Sequence, residues 1–375
     1  AKPEKTAFLL KGVVELMHQV ASDFEDLTPM VESLVAANES WGWQDLGLMC
    51  KILDEDDSAE GITDEEKGTL AKIMSASLTL TARAEAELAK ERGKEKSKGG
   101  ELSSELIAAL PKLMSSLAAE THTLTTLLRV VSCLPLSDIS PGHVKALSKV
   151  VGSIAEAITK GQDQALLQAA GQALGHLHSP KCGVRDLLSP ECAMLCDTLA
   201  KQFAPAAAAL AKGSVPPIAA VLGLKRAAAV AGHLDMHALR PPLPHEALGV
   251  LKAVIKHPET ALHHDAGRHA ILLATHTAMW RAARRVGPDA GAAGQADQGC
   301  VAERDALLAL LGDLASDSTA SLSLRTQAMC GIVDIFHVHG DVSGKEECVK
   351  RKDLARAGVY IEAMAEEGGG DEDKR

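Results

Sequence analysis

The chain has 375 residues, 46% of them apolar but only 2% aromatic, and a formal net charge of −11. That length and apolar content support a large core, and the acidic balance excludes a chain that coats nucleic acid over its whole surface while leaving room for local basic patches. Ala and Leu fill the apolar positions and no stretch sustains a period of two, which excludes a sheet protein and predicts an all-α fold.

The first predicted helix runs from about Glu4 to Val20, with Phe8, Leu9, Val13, Leu16 and Met17 on one stripe. A second begins near Thr28-Pro29, and Trp41 and Trp43 open a third that carries Leu46, Met49, Ile52 and Leu53. After the acidic loop Asp54 to Asp57, Thr63 and Glu66 have the spacing of a capping box, and the helix they start extends to about Arg92. A flexible basic loop, 92–101, follows. Ser103 to Leu117 resumes the helical pattern with Pro111 inside it as a kink or an early break, Thr123 to Cys133 is stopped by Pro135, and Ser140-Pro141 starts a helix that Gly161 ends. Gln164 to Leu177 pairs with it. Ser189-Pro190-Glu191 starts a longer helix to about Lys212, interrupted at Pro205.

Val215 to Lys256 then reads as two helices joined by the proline-rich break His233 to Pro244. A helix from His257 to Val286, a flexible linker 287–299, the pair Val301–Leu314 and Ser321–His337, a last helix Gly344–Ala365 and a polar tail 366–375 complete the chain. A helical pair of about 40 residues is the size of one HEAT-type repeat, and such a pair buries its apolar stripe only by stacking on neighbours. Residues 1–365 are therefore expected to form a HEAT-type α-α solenoid.

No apolar run is long enough to span a bilayer, and Ala1-Lys2-Pro3-Glu4 carries neither a signal-peptide pattern nor a starting Met. The expectation is an intracellular piece of a longer protein. The eight cysteines include no Cys-x-x-Cys and are read as buried, reduced thiols. His257, His263, His264, His269 and His276 lack any His-Glu-x-x-His or Cys/His quartet, so no metal is expected. No P-loop, Gly-x-Ser-x-Gly or dinucleotide fingerprint is present, and no enzyme, cofactor or small-molecule substrate is expected.

Several blocks resemble one family in order and spacing. They are Trp43-x-x-x-Gly47-Leu48-Met49-Cys50-Lys51-Ile52-Leu53-Asp54-Glu55, then Ile62-Thr63-Asp64-Glu65-Glu66-Lys67-Gly68, the Gly/Lys-rich insertion at 93–100, and Leu106-Ile107-Ala108-Ala109-Leu110-Pro111 followed by Leu127-Leu128. Val221-Leu222-Gly223-Leu224-Lys225-Arg226 with His233-Leu234-Asp235, Leu272 to Trp280, and Leu324 to Cys330 with Asp334-Ile335-Phe336 continue the series. Across about residues 5–340 the chain resembles the stromalin/STAG (SA) family of cohesin subunits, in its central-to-C-terminal HEAT-repeat region. The resemblance implies a non-catalytic scaffold, part of a larger hook-shaped protein, that holds the kleisin subunit, docks cohesin regulators and touches DNA without reading its sequence. It implies a nuclear, chromatin-bound protein acting in sister-chromatid cohesion. A generic HEAT or armadillo adaptor that binds a peptide of another partner is the alternative.

Three basic groups are the candidate DNA or kleisin contacts. Arg92, Lys94, Lys96 and Lys98 occupy the basic loop, interleaved with Glu91 and Glu95, and read equally as a solvated loop. Lys225 and Arg226 follow an apolar stripe. Arg281, Arg284 and Arg285 follow Trp280 as the densest positive cluster. Both groups also fit cations placed near a helix C-terminus. Trp41, Trp43 and Trp280 are read as packing residues.

Overall fold

The computed structural model describes residues 2–21, 29–30, 33–34, 46–54, 62–92, 100–136, 139–239, 243–256, 261–284 and 297–343. Among these the secondary structure is helical: α1 (Lys2–Ala21), α2 (Leu46–Asp54), α3 (Asp64–Arg92), α4 (Gly100–Ser116), α5 (Thr121–Ser132), α6 (Val144–Lys160), α7 (Gln164–Leu177) and α8 (Arg185–Ala211). Then come α9 (Ile218–Ala231), α10 (Leu243–Lys256), α11 (Ala261–Arg284), α12 (Asp297–Ser316) and α13 (Leu322–Ser343). The chain divides into two compact units, Ala1–Cys192 and Ala193–Arg375. Trp41, Trp43, the basic loop from Gly93 to Gly99 and the expected last helix lie outside the described residues.

In the first unit α2, α4 and α6 pack on one another in succession, and so do α1, α3, α5 and α7. Contacts of α2 with α3 and of α6 with α7 join the two layers. Helical spacing produces this: Leu147, Val150, Val151, Ile154 and Ile158 of α6 are all fully buried and share one face. On α7, Leu167, Ala170, Leu174 and Leu177 do the same. The layer of α2, α4 and α6 also has polar ties between successive helices. Asp54 of α2 accepts from Lys112 of α4, and Ser148 of α6 donates to Glu191 of α8.

The second unit repeats the scheme. α9, α11 and α13 pack in succession, α10 packs on α11 and α12, and α12 packs on α13. The sequence pairs α9 with α10 as one repeat, but the tertiary contacts pair α10 with α11. The partner of α9 is the C-terminal part of α8, whose backbone at Gln202 and Phe203 lies against Gly223. Apolar stripes on all these helices are alike, so their spacing alone does not set which break is the turn inside a hairpin and which lies between hairpins.

Local signals set the helix ends. Thr63 and Glu66 form the expected capping box: the Glu66 carboxylate accepts from the Thr63 N–H at 2.7 Å, and the Thr63 hydroxyl accepts from the Glu66 N–H at 3.3 Å. Asp163 caps α7 by accepting from the Leu166 N–H at 2.8 Å. Gly213, at a φ of 68°, closes α8, with the Ser214 N–H donating back to the Ala209 carbonyl. The prolines depart from expectation. Helix α8 begins at Arg185 and runs without a break through Pro190 and Pro205, and α4 runs through Pro111. Pro190 and Pro205 are exposed, as are Asp186 and Lys201 one turn before them, so the carbonyls left without an intrahelical donor lie on the wet side. Helix α12 starts at Asp297, inside the stretch read as a linker.

Candidate partner-binding surface

The expected contacts fall at different places in the fold. Arg226 is half-buried on α9, and its guanidinium donates to Gln202 Oε1 of α8 at 3.2 Å. Burial holds its affinity for the proton below the usual value. Lys225, one residue earlier, is also half-buried and bears on the ring of His269 on α11. Arg268, which no local cluster of positive charge marks out, bears on the same ring more strongly. Packing of α9 on α11 therefore brings Lys225 to bear on the same ring as Arg268, 43 residues further along the sequence, with Asp265 as the opposing charge. His269 itself is pushed down to about 4, first by burial and then by Arg268 and Lys225, with Asp265 pulling the other way. It is a neutral ring at physiological pH.

Arg281 has a different role. It forms an ion pair with Glu303 of α12, and the two side chains are only 18% and 28% exposed. The pair joins successive helices, so most of the Arg281 charge is met inside the protein. Arg92 and Arg284 are the last residues of α3 and α11, and their side chains lie outside the described residues. Lys94, Lys96, Lys98 and Arg285 lie outside them altogether.

Histidine and tryptophan side chains tie one repeat to the next at two places. His176 of α7 hydrogen-bonds the Leu134 carbonyl just past α5 at 2.7 Å. In the second unit His276 of α11 hydrogen-bonds the Ala228 carbonyl of α9. Trp280 Nε1 donates to the Ala231 carbonyl at 2.8 Å. The Ala231 carbonyl, the last of α9, has no intrahelical donor, and Trp280 from the following repeat supplies one. Trp280 is thus an inter-repeat packing residue, as its sequence context suggests. Its substitution by Phe keeps the ring and removes the N–H, and is expected to lower the stability of the second unit by about 1 kcal/mol; urea unfolding followed by circular dichroism measures it.

One Ser–His contact has the wrong polarity for catalysis. Ser104 of α4 lies 3.0 Å from His143 Nε2, and the Ser140 N–H donates to His143 Nδ1 at 3.2 Å. With Nδ1 accepting, Nε2 carries the proton and donates to the serine. A general base needs its lone pair there instead. The contact is a tie between α4 and the turn that starts α6.

Among the described residues no group of three His, Cys, Asp or Glu side chains is placed to hold a metal ion. His263 is buried while His264, His269 and His276 are half-buried along α11. The Cys50, Cys182, Cys192 and Cys196 thiols are buried, but Cys330 is exposed on α13, against the expectation that all the thiols are buried. Burial pushes the Cys50 thiol up to about 12 and Cys192 up to about 11, which leaves both inert. No helix among the described residues is long and apolar enough to cross a membrane.

Stacked helical pairs, inter-repeat ties at helix ends and a polar outer face are features of a HEAT-repeat protein. The model of the family described as cohesin subunit SCC3/SA, HEAT-repeats domain, matches residues 30–280. No curated protein matches the chain. The matched span is more than half of the chain and takes in helices of both units. The chain belongs to the cohesin subunit SCC3/SA family.

Proposed function

We propose that this chain is a non-catalytic scaffold subunit of cohesin that binds the kleisin subunit, docks cohesin regulators and contributes to DNA association in sister-chromatid cohesion. The observation that carries the reading is the family match across residues 30–280. A nuclear, chromatin-bound location goes with it. Stacked helices offer a long ridged surface to an extended chain, and rows of half-exposed side chains along them can follow its backbone.

For the contacts we propose Lys225 and Arg226 on α9 and, at the end of α11, Arg281, Arg284 and Arg285, with Arg92, Lys94, Lys96 and Lys98 as a further phosphate-contacting group. The ion pair with Glu303 makes Arg281 the poorest position for a test by charge reversal, since the change would also leave Glu303 without its partner. Arg284 and Arg285 are the better positions.

The test is calorimetric titration of the chain with the middle segment of the kleisin, and with duplex DNA at two salt concentrations. The reading expects micromolar or tighter kleisin binding. DNA affinity should fall steeply with salt. Arg284→Glu with Arg285→Glu should weaken DNA binding severalfold and flatten the salt slope by about one for each phosphate no longer neutralised. Silence toward both ligands sinks the reading.

A further inference from the structure

Helices α3 and α5 pack side by side in the first unit and bring together three basic side chains from successive repeats. Gly68 of α3 lies against Thr123 of α5, where an added Cβ would be 3.2 Å from Thr123 Oγ1. Lys72 is one turn further along α3. On α5, His122 and Arg129 are seven residues apart and share a face. Lys72 and Arg129 both bear on the His122 ring, and all three side chains are at least partly open to solvent.

The neighbouring polar groups are already committed. The Thr125 and Thr126 hydroxyls donate to the Thr121 and His122 carbonyls at 2.7 and 3.1 Å. On α3, Glu65 pairs with His18 at 3.3 Å, Glu66 closes the capping box with Thr63, and Lys67 is buried. On α7, Asp163 caps its own helix and His176 holds the Leu134 carbonyl. Glu120, at the start of α5, is the exposed acid closest in sequence to His122. Burial, and then the positive charges of Lys72 and Arg129, hold the His122 ring's affinity for a proton below its usual value.

We propose that Lys72, His122 and Arg129 form a recognition site for a phosphorylated serine or threonine in an extended partner peptide. A phosphate monoester carries close to two negative charges near neutral pH and three acceptor oxygens. Arg129 can grip two of those oxygens through its planar fork, and Lys72 supplies a point charge. His122 completes the set, because a dianion beside it draws a proton onto the ring and turns it into a third cation. Duplex DNA suits the site less well. Its phosphodiesters are singly charged, and DNA-binding surfaces gain affinity from many cations in a track, whereas this cluster holds two and one titratable ring.

The experiment uses the full chain and two capped tripeptides, Ala-phosphothreonine-Ala and Ala-Thr-Ala, with duplex DNA as a third ligand. Histidine ring resonances are followed by NMR, and His122→Gln assigns the His122 signal. The proposal expects the phosphopeptide alone to move the His122 signal and to raise its titration midpoint. Lys72→Gln and Arg129→Gln should each weaken that binding about tenfold, as expected when one charge-assisted hydrogen bond is removed. Circular dichroism checks that these surface variants fold, and the wild-type titration stands whether or not they do. Equal response to the unphosphorylated peptide, response to DNA but not to the phosphopeptide, or no response at millimolar phosphopeptide each overturns the proposal.

Discussion

Gly223→Val is expected to unfold the second unit or cost it several kcal/mol, while Gly249→Ala stabilises the same unit. Both glycines lie inside helices, and by propensity alone any replacement other than Pro helps, since Gly is about 1 kcal/mol worse than Ala in a helix interior. Their surroundings differ. A Cβ on Gly223 would sit 2.9 Å from the Gln202 carbonyl carbon and Cβ and 3.0 Å from the Phe203 backbone N. The obstacle is mostly helix backbone and cannot rotate away, and Phe203 beside it is fully buried. A Cβ on Gly249 meets nothing within 4 Å. Overpacking of this kind costs about 1–3 kcal/mol for small additions, and two extra methyls against backbone go beyond that. Urea unfolding, read from Trp280 fluorescence in a Trp41→Phe, Trp43→Phe background, measures both. Equal effects at the two glycines would mean that α8 and α9 do not approach as closely as their geometry indicates.

The second large effect is acid lability. His269 titrates near 4 in the folded protein, held down by burial, Arg268 and Lys225 against Asp265, and near 6.5 when the chain is unfolded. His176, His233 and His276 are also held below their usual value, each mainly by burial. For a group whose folded value is depressed, the unfolded chain binds more protons between the two values. Stability is therefore full above about pH 6.5 and is lost as pH falls toward the folded value. His269 alone is expected to remove about 3 kcal/mol between pH 7 and pH 4. Urea unfolding at a series of pH values reads the slope, and His269→Gln should flatten it over that window. A stability that stays level from pH 7 to pH 4.5 would show that His269 is not buried as a neutral ring.

The helices are largely legible in the residues themselves. Gln164–Leu177 has the predicted bounds because Gly161 and Asp163 punctuate it and Leu166, Leu167, Leu174 and Leu177 keep strict helical spacing. Thr63 and Glu66 cap α3 by a pattern four residues long. Against expectation, Pro205 does not interrupt α8, because the carbonyl it leaves without a donor lies on the wet side, and exposure is a tertiary property. The candidate surface is legible only in part. Local counts of positive charge pick out Arg281, but they cannot see Glu303 on the next helix. They miss that Lys225 and Arg268 bear on one His269 ring, and that Lys72 bears on His122, because packing between repeats brings these groups into range.

By itself, then, the sequence determined that this is an all-α chain of HEAT-type pairs, and its block order pointed to the SCC3/SA family, because helical period and capping are encoded within a few residues of one another. Which helices form hairpins, where α8 meets α9 at Gly223, and which basic groups are engaged internally rather than open to a partner were decided only in the tertiary structure. These depend on contacts between residues some 20 to 60 positions apart, and no local pattern of propensity or periodicity carries information over that distance.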